Sequence, residues 1–351
     1  MFLSRFRSDD EEEAEDVFAS FLPVLFPESA TPCVGQPGQQ LVYSSPAFGD
    51  LALTIPIHPL DKDKAEEQEE REEEQQKRAR GQDVDKACTL FAHFLWGSSL
   101  LVTDGIERAF SSSSDGGDDA SVWSVKGHDI LELGAGECNY CKTKEKHNIY
   151  INLHGSSTAL SSIVSVLAGA ESVTVTDHPL APSLYGSIQS NIDRNIPKHL
   201  SHRISVQPYQ WGVLDKGGSV DEEELETRFL DQMAGFAAAN RGRFSRIICA
   251  DCIWMPSQHE NLIQTLLWFL APSSSTPAAG IAWVVAGLHT GRHIVASFFE
   301  KAVSAGLVVE KIWERDMNST EGETTREWKP VREDEGPENR ARWCIVGLLS
   351  R

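Results

Sequence analysis

Apolar residues recur along the chain in short runs of strand length, separated by stretches of helical period. The runs predict strands at 128–135, 172–177, 204–210, 244–251, 280–288, 307–314 and 342–349. The intervening pattern predicts helices at about 158–169, 182–195, 221–239, 257–271 and 291–305. Strands that alternate with helices are joined by crossovers, which produce a mainly parallel sheet covered on both faces. The rhythm fails near the end. Between Trp313 and Arg342 the chain is charged, helix-poor and rich in Thr, Glu, Gly and Pro, so the last two strands are expected to form a long antiparallel hairpin. The expected fold class is α/β: a doubly wound, mostly parallel seven-stranded sheet with an antiparallel strand near its edge.

Upstream of the sheet, a periodic apolar helix is expected from Ala87 through Leu90-Phe91-Ala92-His93-Phe94-Leu95-Trp96 to Ile106, ended by a Ser/Gly/Asp loop at 111–121. Gln40–Tyr43 and Leu51–Ile55 alternate like strands, with Ser44-Ser45-Pro46 and Gly49-Asp50 as turn chemistry, and predict a β-hairpin at 40–55. Residues 61–82 are almost wholly charged, with Glu and Lys/Arg at helical spacing and no apolar face, as in a solvated helix or a disordered insert. A short apolar patch at 17–27 is expected to dock, its flanks to be mobile. Residues 1–86 thus read as an N-terminal extension and 87–351 as the main domain.

The formal net charge of -20 argues against a general nucleic-acid footprint, which needs clustered Lys and Arg, and suits a basic protein partner better. No apolar run approaches the roughly 20 residues of a membrane span. The N-terminus runs directly into acid without the apolar core of a secretory signal. Seven cysteines, an odd number scattered widely, fit a reducing compartment. A soluble, monomeric, cytoplasmic protein is expected, with the nucleus also open to it.

The candidate chemistry begins at Leu131-Glu132-Leu133-Gly134-Ala135-Gly136, an apolar strand that breaks into small residues. Glycines there let a ligand approach the backbone closely, and Asp177 at the end of the next strand is placed to accept hydrogen bonds from ribose hydroxyls. Helix capping before Pro179 is an alternative use of Asp177. Glu132 lies inside the strand, where a carboxylate needs a partner. A dinucleotide site shares these features, but its third glycine is missing from Gly134-Ala135-Gly136-Glu137-Cys138-Asn139.

Five pieces in order, His93–Trp96, Leu131–Gly136, Thr176-Asp177-His178-Pro179, Tyr209-Gln210-Trp211-Gly212 and Ala250-Asp251-Cys252-Ile253-Trp254, resemble the seven-β-strand (class I, Rossmann-like) S-adenosylmethionine-dependent methyltransferases. More narrowly, they are similar to a fungal lysine-methyltransferase-like branch often labelled nicotinamide N-methyltransferase-like, and the resemblance covers about 87–351. It implies S-adenosyl-L-methionine as cofactor. The glycines Gly134 and Gly136, with Ala135 between them, would pass under its methionine moiety. Glu132 would fix that loop or the ammonium group, Asp177 the ribose, and Trp211 the adenine by stacking. Trp96 would close the pocket from the other side, and Ala250 would add backbone contact. Asp251 and Trp254 would form the lip of the acceptor channel, Asp251 orienting an incoming amine. Core packing is the alternative for Trp211.

The implied function is N-methylation of a lysine or N-terminal amine of a protein, a translation factor among the candidates. A small-molecule N-methyltransferase for nicotinamide or a similar amine is one alternative. A methyltransferase-fold binding protein with an impaired active site is another.

One segment does not fit. Residues 137–157 separate Gly136 from the helix that should follow it, and their removal would give an unbroken strand–turn–helix, Leu-Gly-Ala-Gly-Thr-Ala-Leu-Ser-Ser-Ile-Val. The segment reads as translated intron sequence; if genuine, it would lie over the methionine end of the pocket. Its Cys138 and Cys141 with His147 and His154 have the donors for zinc but not a standard finger spacing, so no metal is expected. Cys249 and Cys252, on a buried strand, are expected to face opposite sides and not to chelate.

Overall fold

The computed structural model describes residues 5–8, 33–35, 38–56, 95–112, 122–134, 138–140, 151–153, 158–179, 181–214, 227–272, 279–288, 290–319 and 323–351. The apolar patch at 17–27, the charged segment at 61–82, most of the 111–121 loop, Cys141, His147 and His154 lie outside them.

The N-terminal strands are β1 (Phe6–Ser8), β2 (Cys33–Val34), β3 (Gln40–Ser45), β4 (Gly49–Thr54) and β5 (Leu95–Trp96). The expected hairpin is present as β3–β4, and β1 adds a third antiparallel strand to it. Leu95 and Trp96, expected inside a helix, are instead extended and paired with Val34 and Cys33. An apolar run without a polar face is compatible with either state, and the cross-strand partner decides it here. Helix α1 therefore begins only at Gly97 and runs to Ser111.

The main sheet and its helices follow as β6 (Asp129–Glu132), β7 (Cys138–Tyr140), β8 (Ile151–Leu153), α2 (Leu160–Leu167), β9 (Ser172–Asp177), α3 (Ser187–Asn195), β10 (Ile204–Pro208), α4 (Thr227–Ala239), β11 (Arg246–Ala250), α5 (His259–Phe269), β12 (Ile281–Gly287), α6 (Arg292–Ser304), β13 (Val308–Asp316), β14 (Thr325–Glu327), α7 (Pro337–Ala341) and β15 (Trp343–Ser350). The strand order is β10-β9-β6-β11-β12-β15-β13-β14. β10, β9, β6, β11 and β12 pair in parallel, while β15 inserts antiparallel between β12 and β13. This is the doubly wound α/β sheet with a reversed strand that the resemblance implies. β14, in the charged stretch expected to hold only a connection, extends it to eight strands. The segment at 137–157 contributes β7 and β8, which pair with each other and stay outside the main sheet.

Alternation along the strands builds two cores. Ile130, Val173, Ile248, Trp283 and Val285 face α1, α2, α3 and the N-terminal hairpin; Leu131, Ile247, Cys249, Val284 and Ile345 face α4, α5 and α6. The strands are apolar on both faces because both are covered. α1 and α2 approach through hydroxyls: Ser161 Oγ lies 3.0 Å from Ser99 Oγ and donates to the Ser99 carbonyl at 3.1 Å. Asn191 and Asn195 on α3 hold the edge of β4, accepting from Thr54 N and Ala52 N at 2.8 Å each. No helix among the described residues is long and apolar enough to cross a membrane.

Candidate active site at the sheet switch point

Chain direction across the sheet reverses between β6 and β11, and ligands of such sheets bind outside the carboxyl ends of the strands at that reversal. Four strand ends meet there: Glu132–Gly134 after β6, Asp177 after β9, Ala250–Asp251 at β11 and Gly287 closing β12. They are tied to one another. Thr176 Oγ1 donates to the Glu132 carbonyl at 2.7 Å, Leu133 N to Ile248 O at 2.9 Å, and Asp251 N to Val285 O at 2.7 Å.

Gly134 leaves β6 with φ +66°, a backbone state that glycine adopts without a Cβ penalty. Ala159, before α2, and Asp251, after β11, have φ +54° and +56°, and among the described residues they are the non-glycine positions in that region. Both flank the switch point, where functional sites concentrate such strain.

Two carboxyls are buried at adjacent strand ends. Glu132 accepts a hydrogen bond from Ser162 Oγ, and burial pushes its pKa up to about 7 against that bond. Asp177 is 1% exposed and accepts from His178 N at 2.7 Å and Ser183 Oγ at 2.5 Å. Burial raises its pKa well above the carboxylate range, those bonds oppose the rise, and the nearby Glu132 adds to it. Thus two acidic groups share a desolvated edge, with hydroxyl and amide donors as their partners among the described residues. Close by, Thr158 Oγ1 is buried without a hydrogen-bond partner among the described residues, at the point where the chain re-enters toward α2.

Trp211 stands in a turn after β10 that is fixed from three sides. Tyr209 N donates to Asp177 O at 2.7 Å, Tyr209 Oη to Val213 O at 2.6 Å, and Gly212 N to Thr265 Oγ1 at 2.9 Å. Gly212 has φ +85°, and a Cβ there would meet Asn261 Oδ1 at 2.8 Å. Trp211 stays half-buried against the second core, one face of the turn toward the Asp177 strand end.

Asp251 is buried, and both its oxygens are engaged: Oδ1 accepts from Gly287 N at 2.8 Å and Oδ2 from Ser98 Oγ at the start of α1. Beyond it, Ile253 O contacts His259 Nε2 at 2.8 Å, and Trp254 between these anchors is half-buried. Cys249 and Cys252 enter the same core, contrary to the expectation of opposite faces, because the left-handed backbone at Asp251 interrupts the alternation. Cys252 Sγ donates to Leu133 O at 3.1 Å. Among the described residues no group of three or more His, Cys, Asp or Glu could hold a metal.

The predicted Glu132, Gly134, Asp177, Ala250 and Asp251 therefore sit on the strand ends that meet at the switch point, and Trp211 stands in the turn after β10 that Tyr209 N ties to the Asp177 strand end. Ala135, Gly136 and the Trp96 side chain lie outside the described residues. Ser98, Thr158, Ser162 and Ser183 were missed as partners of this edge. Only Ser98, in the Gly-Ser-Ser run that opens α1, carried a local signal.

No family model matches the chain. Among curated proteins, the protein N-terminal and lysine N-methyltransferase EFM7 of Candida glabrata is 32% identical over 183 residues, covering 52% of this chain and 58% of its own. Its namesake from Eremothecium gossypii is 29% identical over 229 residues, 64% of this chain and 66% of its own. The protein N-lysine methyltransferase METTL21A of Mus musculus is 29% identical over 136 residues, 39% and 47% respectively. The chain thus spans less than two thirds of the length of each of these relatives. Among solved structures, the O-methyltransferase from Bacillus cereus in complex with SAH aligns over 72% of this chain and 90% of its own, at 13% identity and a TM-score of 0.34. By strand order the chain has a doubly wound, mostly parallel α/β sheet with a reversed strand, and by sequence it is similar to proteins named as N-terminal and lysine N-methyltransferases.

Proposed function

We propose that this protein is an S-adenosyl-L-methionine-dependent N-methyltransferase that acts on a lysine or N-terminal amine of a protein. The carrying observation is the pair of buried carboxyls, Glu132 and Asp177, at adjacent strand ends of the switch point. Unpaired with any cation among the described residues, they suit a ligand that brings its own donors, as ribose hydroxyls and an ammonium group do. The names of the EFM7 and METTL21A relatives support the same reading.

The residues fit the cofactor as follows. Asp177 would hold the ribose, and Trp211 would cover the adenine from its fixed turn. Gly134, with Ala135 and Gly136, would give the methionine end a backbone without obstructing side chains. The free Thr158 hydroxyl and Glu132 would take the polar end of that moiety, and Ala250 would offer its backbone. When bound, the sulfonium supplies an electrophilic methyl group for in-line transfer. The chain's own task is to bring an uncharged amine opposite that methyl and exclude water. Asp251 and Trp254 would border the side from which the amine comes, with Trp254 available to pack against the alkyl stem of a lysine. The net charge of -20 favours encounter with a lysine-rich protein surface, and a translation factor is the acceptor we propose to test first.

Calorimetric titration of S-adenosylmethionine tests the binding half of this reading. Transfer of tritiated methyl to cell extract, followed by separation of protein from small molecules, tests the other. Label confined to the small-molecule fraction would favour a nicotinamide-like acceptor, and absence of cofactor binding would defeat the enzymatic reading.

A further inference from the structure

Asp251 follows the last residue of β11, yet its side-chain contacts are with other elements. Its backbone is left-handed at φ +56°, which turns the carboxylate away from the strand direction. One oxygen accepts from Gly287 N at the end of β12, and the other from Ser98 Oγ, the second residue of α1. Ser98 is 0% exposed and Asp251 7%, so the pair is shielded from water. The first turn of α1 contains no acidic residue of its own. A carboxylate held beside it from another strand therefore complements the positive end of the helix.

The same contact has two neighbours. On the α1 side, β5 ends at Trp96 immediately before Gly97 opens the helix. On the strand side, Asp251 begins the lip that carries Trp254, and His259 holds the next anchor through Ile253 O. A hydroxyl–carboxylate bond thus joins the start of α1 to the lip that would receive the amine.

We propose that Ser98 is a positioning residue for methyl transfer, acting through Asp251 to hold the 251–254 lip in register with the start of α1. This rests on the proposed methyltransferase reading, although the contact itself is tested without it. With Ser98 intact, the lip is held at Asp251, at Cys252 through Leu133 O and at Ile253 through His259, and Trp254 lies one residue beyond the last of these. Without the hydroxyl, Asp251 keeps Gly287 N but loses its tie to α1, and the lip gains freedom relative to that helix. The effect should fall on the transfer step, which depends on alignment of amine and methyl group, and spare cofactor affinity.

The experiment compares full-length wild type with Ser98→Ala and Ser98→Thr. In S98A, amide exchange across 251–255 should accelerate while that across 281–286 remains protected. Its maximal rate of tritiated-methyl transfer to cell-extract protein should fall about tenfold, with the cofactor KM within about twofold of wild type. S98T, which retains the hydroxyl, should recover most of the rate. Unchanged exchange in the lip, or an unchanged maximal rate, overturns the proposal. So does a parallel loss of cofactor affinity, rate and melting temperature that S98T fails to reverse. Should S98A not fold, Ser98→Cys carries the same comparison with a weaker donor, and a wild-type lip in that variant also overturns it. If wild type neither binds S-adenosylmethionine nor transfers methyl, the proposed function fails, while the exchange data still judge the Ser98–Asp251 contact.

Discussion

Asn191 donates from one side-chain nitrogen to two carbonyls, Thr54 O and Thr158 O, each at 3.2 Å. Its oxygen accepts from Thr54 N at 2.8 Å, and the residue is fully buried. One amide therefore links the N-terminal hairpin to the chain entering α2. Asn191→Ala should cost about 2–3 kcal/mol, since three bonds go and buried backbone groups lose their partners. Urea unfolding measures that loss. Cofactor titration should show weaker binding as well, because Thr158 borders the site.

Glu132 provides a pH signature. Its folded pKa of about 7 exceeds its ordinary value of 4.5, so between those values the folded state binds more protons than the unfolded state. Stability from this group is present below the unfolded pKa and declines as pH rises toward 7, a total of roughly 3 kcal/mol. Glu132→Gln removes that dependence. In unfolding experiments without cofactor, wild type should lose ground to the variant between pH 5 and pH 8. A constant difference between the two across that range would contradict the burial argument.

Far from the switch point, Glu314 is fully buried under a cluster of arginines. Arg292 reaches it with both terminal nitrogens, at 2.8 and 2.7 Å, Arg326 at 2.6 Å and Arg332 at 3.3 Å, while Glu335 pairs with Arg292 at 2.5 Å. Burial alone would raise the Glu314 pKa, yet the hydrogen bonds and charges of Arg292 and Arg326 hold it below the ordinary value. Glu314→Ala leaves buried guanidinium groups without their main partner and should cost about 3–5 kcal/mol in thermal or urea unfolding. Since the folded pKa is depressed, the wild-type contribution is present above the unfolded pKa and disappears as pH falls through the folded one.

At Gly212, an alanine would have to adopt φ +85° with its Cβ 2.8 Å from Asn261 Oδ1. The expected cost is about 1–2 kcal/mol of strain, and the turn carrying Trp211 should shift. Cofactor affinity, read by calorimetry, should drop about tenfold if Trp211 stacks on the adenine.

Residues 137–157 invite deletion. Joining Gly136 to Thr158 leaves the main sheet untouched, because β7 and β8 pair only with each other among the described strands. The shortened protein should fold and bind S-adenosylmethionine at least as tightly as the full chain. Transcript sequencing checks the origin of the segment, since continuous reads across it would exclude an intron.

The sheet was legible because its strands are apolar on both faces and bounded by turn residues, and the reversal at β15 because the stretch before it lacks a helical pattern. The short strands were not. Two residues such as Leu95–Trp96 acquire their extended state from Cys33–Val34, a partner some sixty residues away. β14 and α7 were hidden for another reason: Arg292, Glu314, Arg326 and Glu335 look like solvated residues until they neutralise one another in the interior. At the site, Glu132 and Asp177 announced themselves as acids at the ends of apolar strands. Ser162, Ser183 and Thr158 did not, since a serine or threonine near a helix start has many ordinary uses. The Asp251 lip was recognised as a motif, but its left-handed backbone, which brings Cys249 and Cys252 into one core, leaves no trace in an alternating pattern.

The antiparallel insertion of β15 also governs the order in which the fold can be completed during synthesis. Its neighbours β12 and β13 emerge from the ribosome first, and each must wait with an open edge until 343–350 arrives between them. Open edges of apolar strands are templates for wrong pairing. Ribosome-bound chains arrested before Trp343 should therefore draw on chaperones heavily and be cleared quickly, and release of β15 should mark the moment at which the nascent protein escapes that fate.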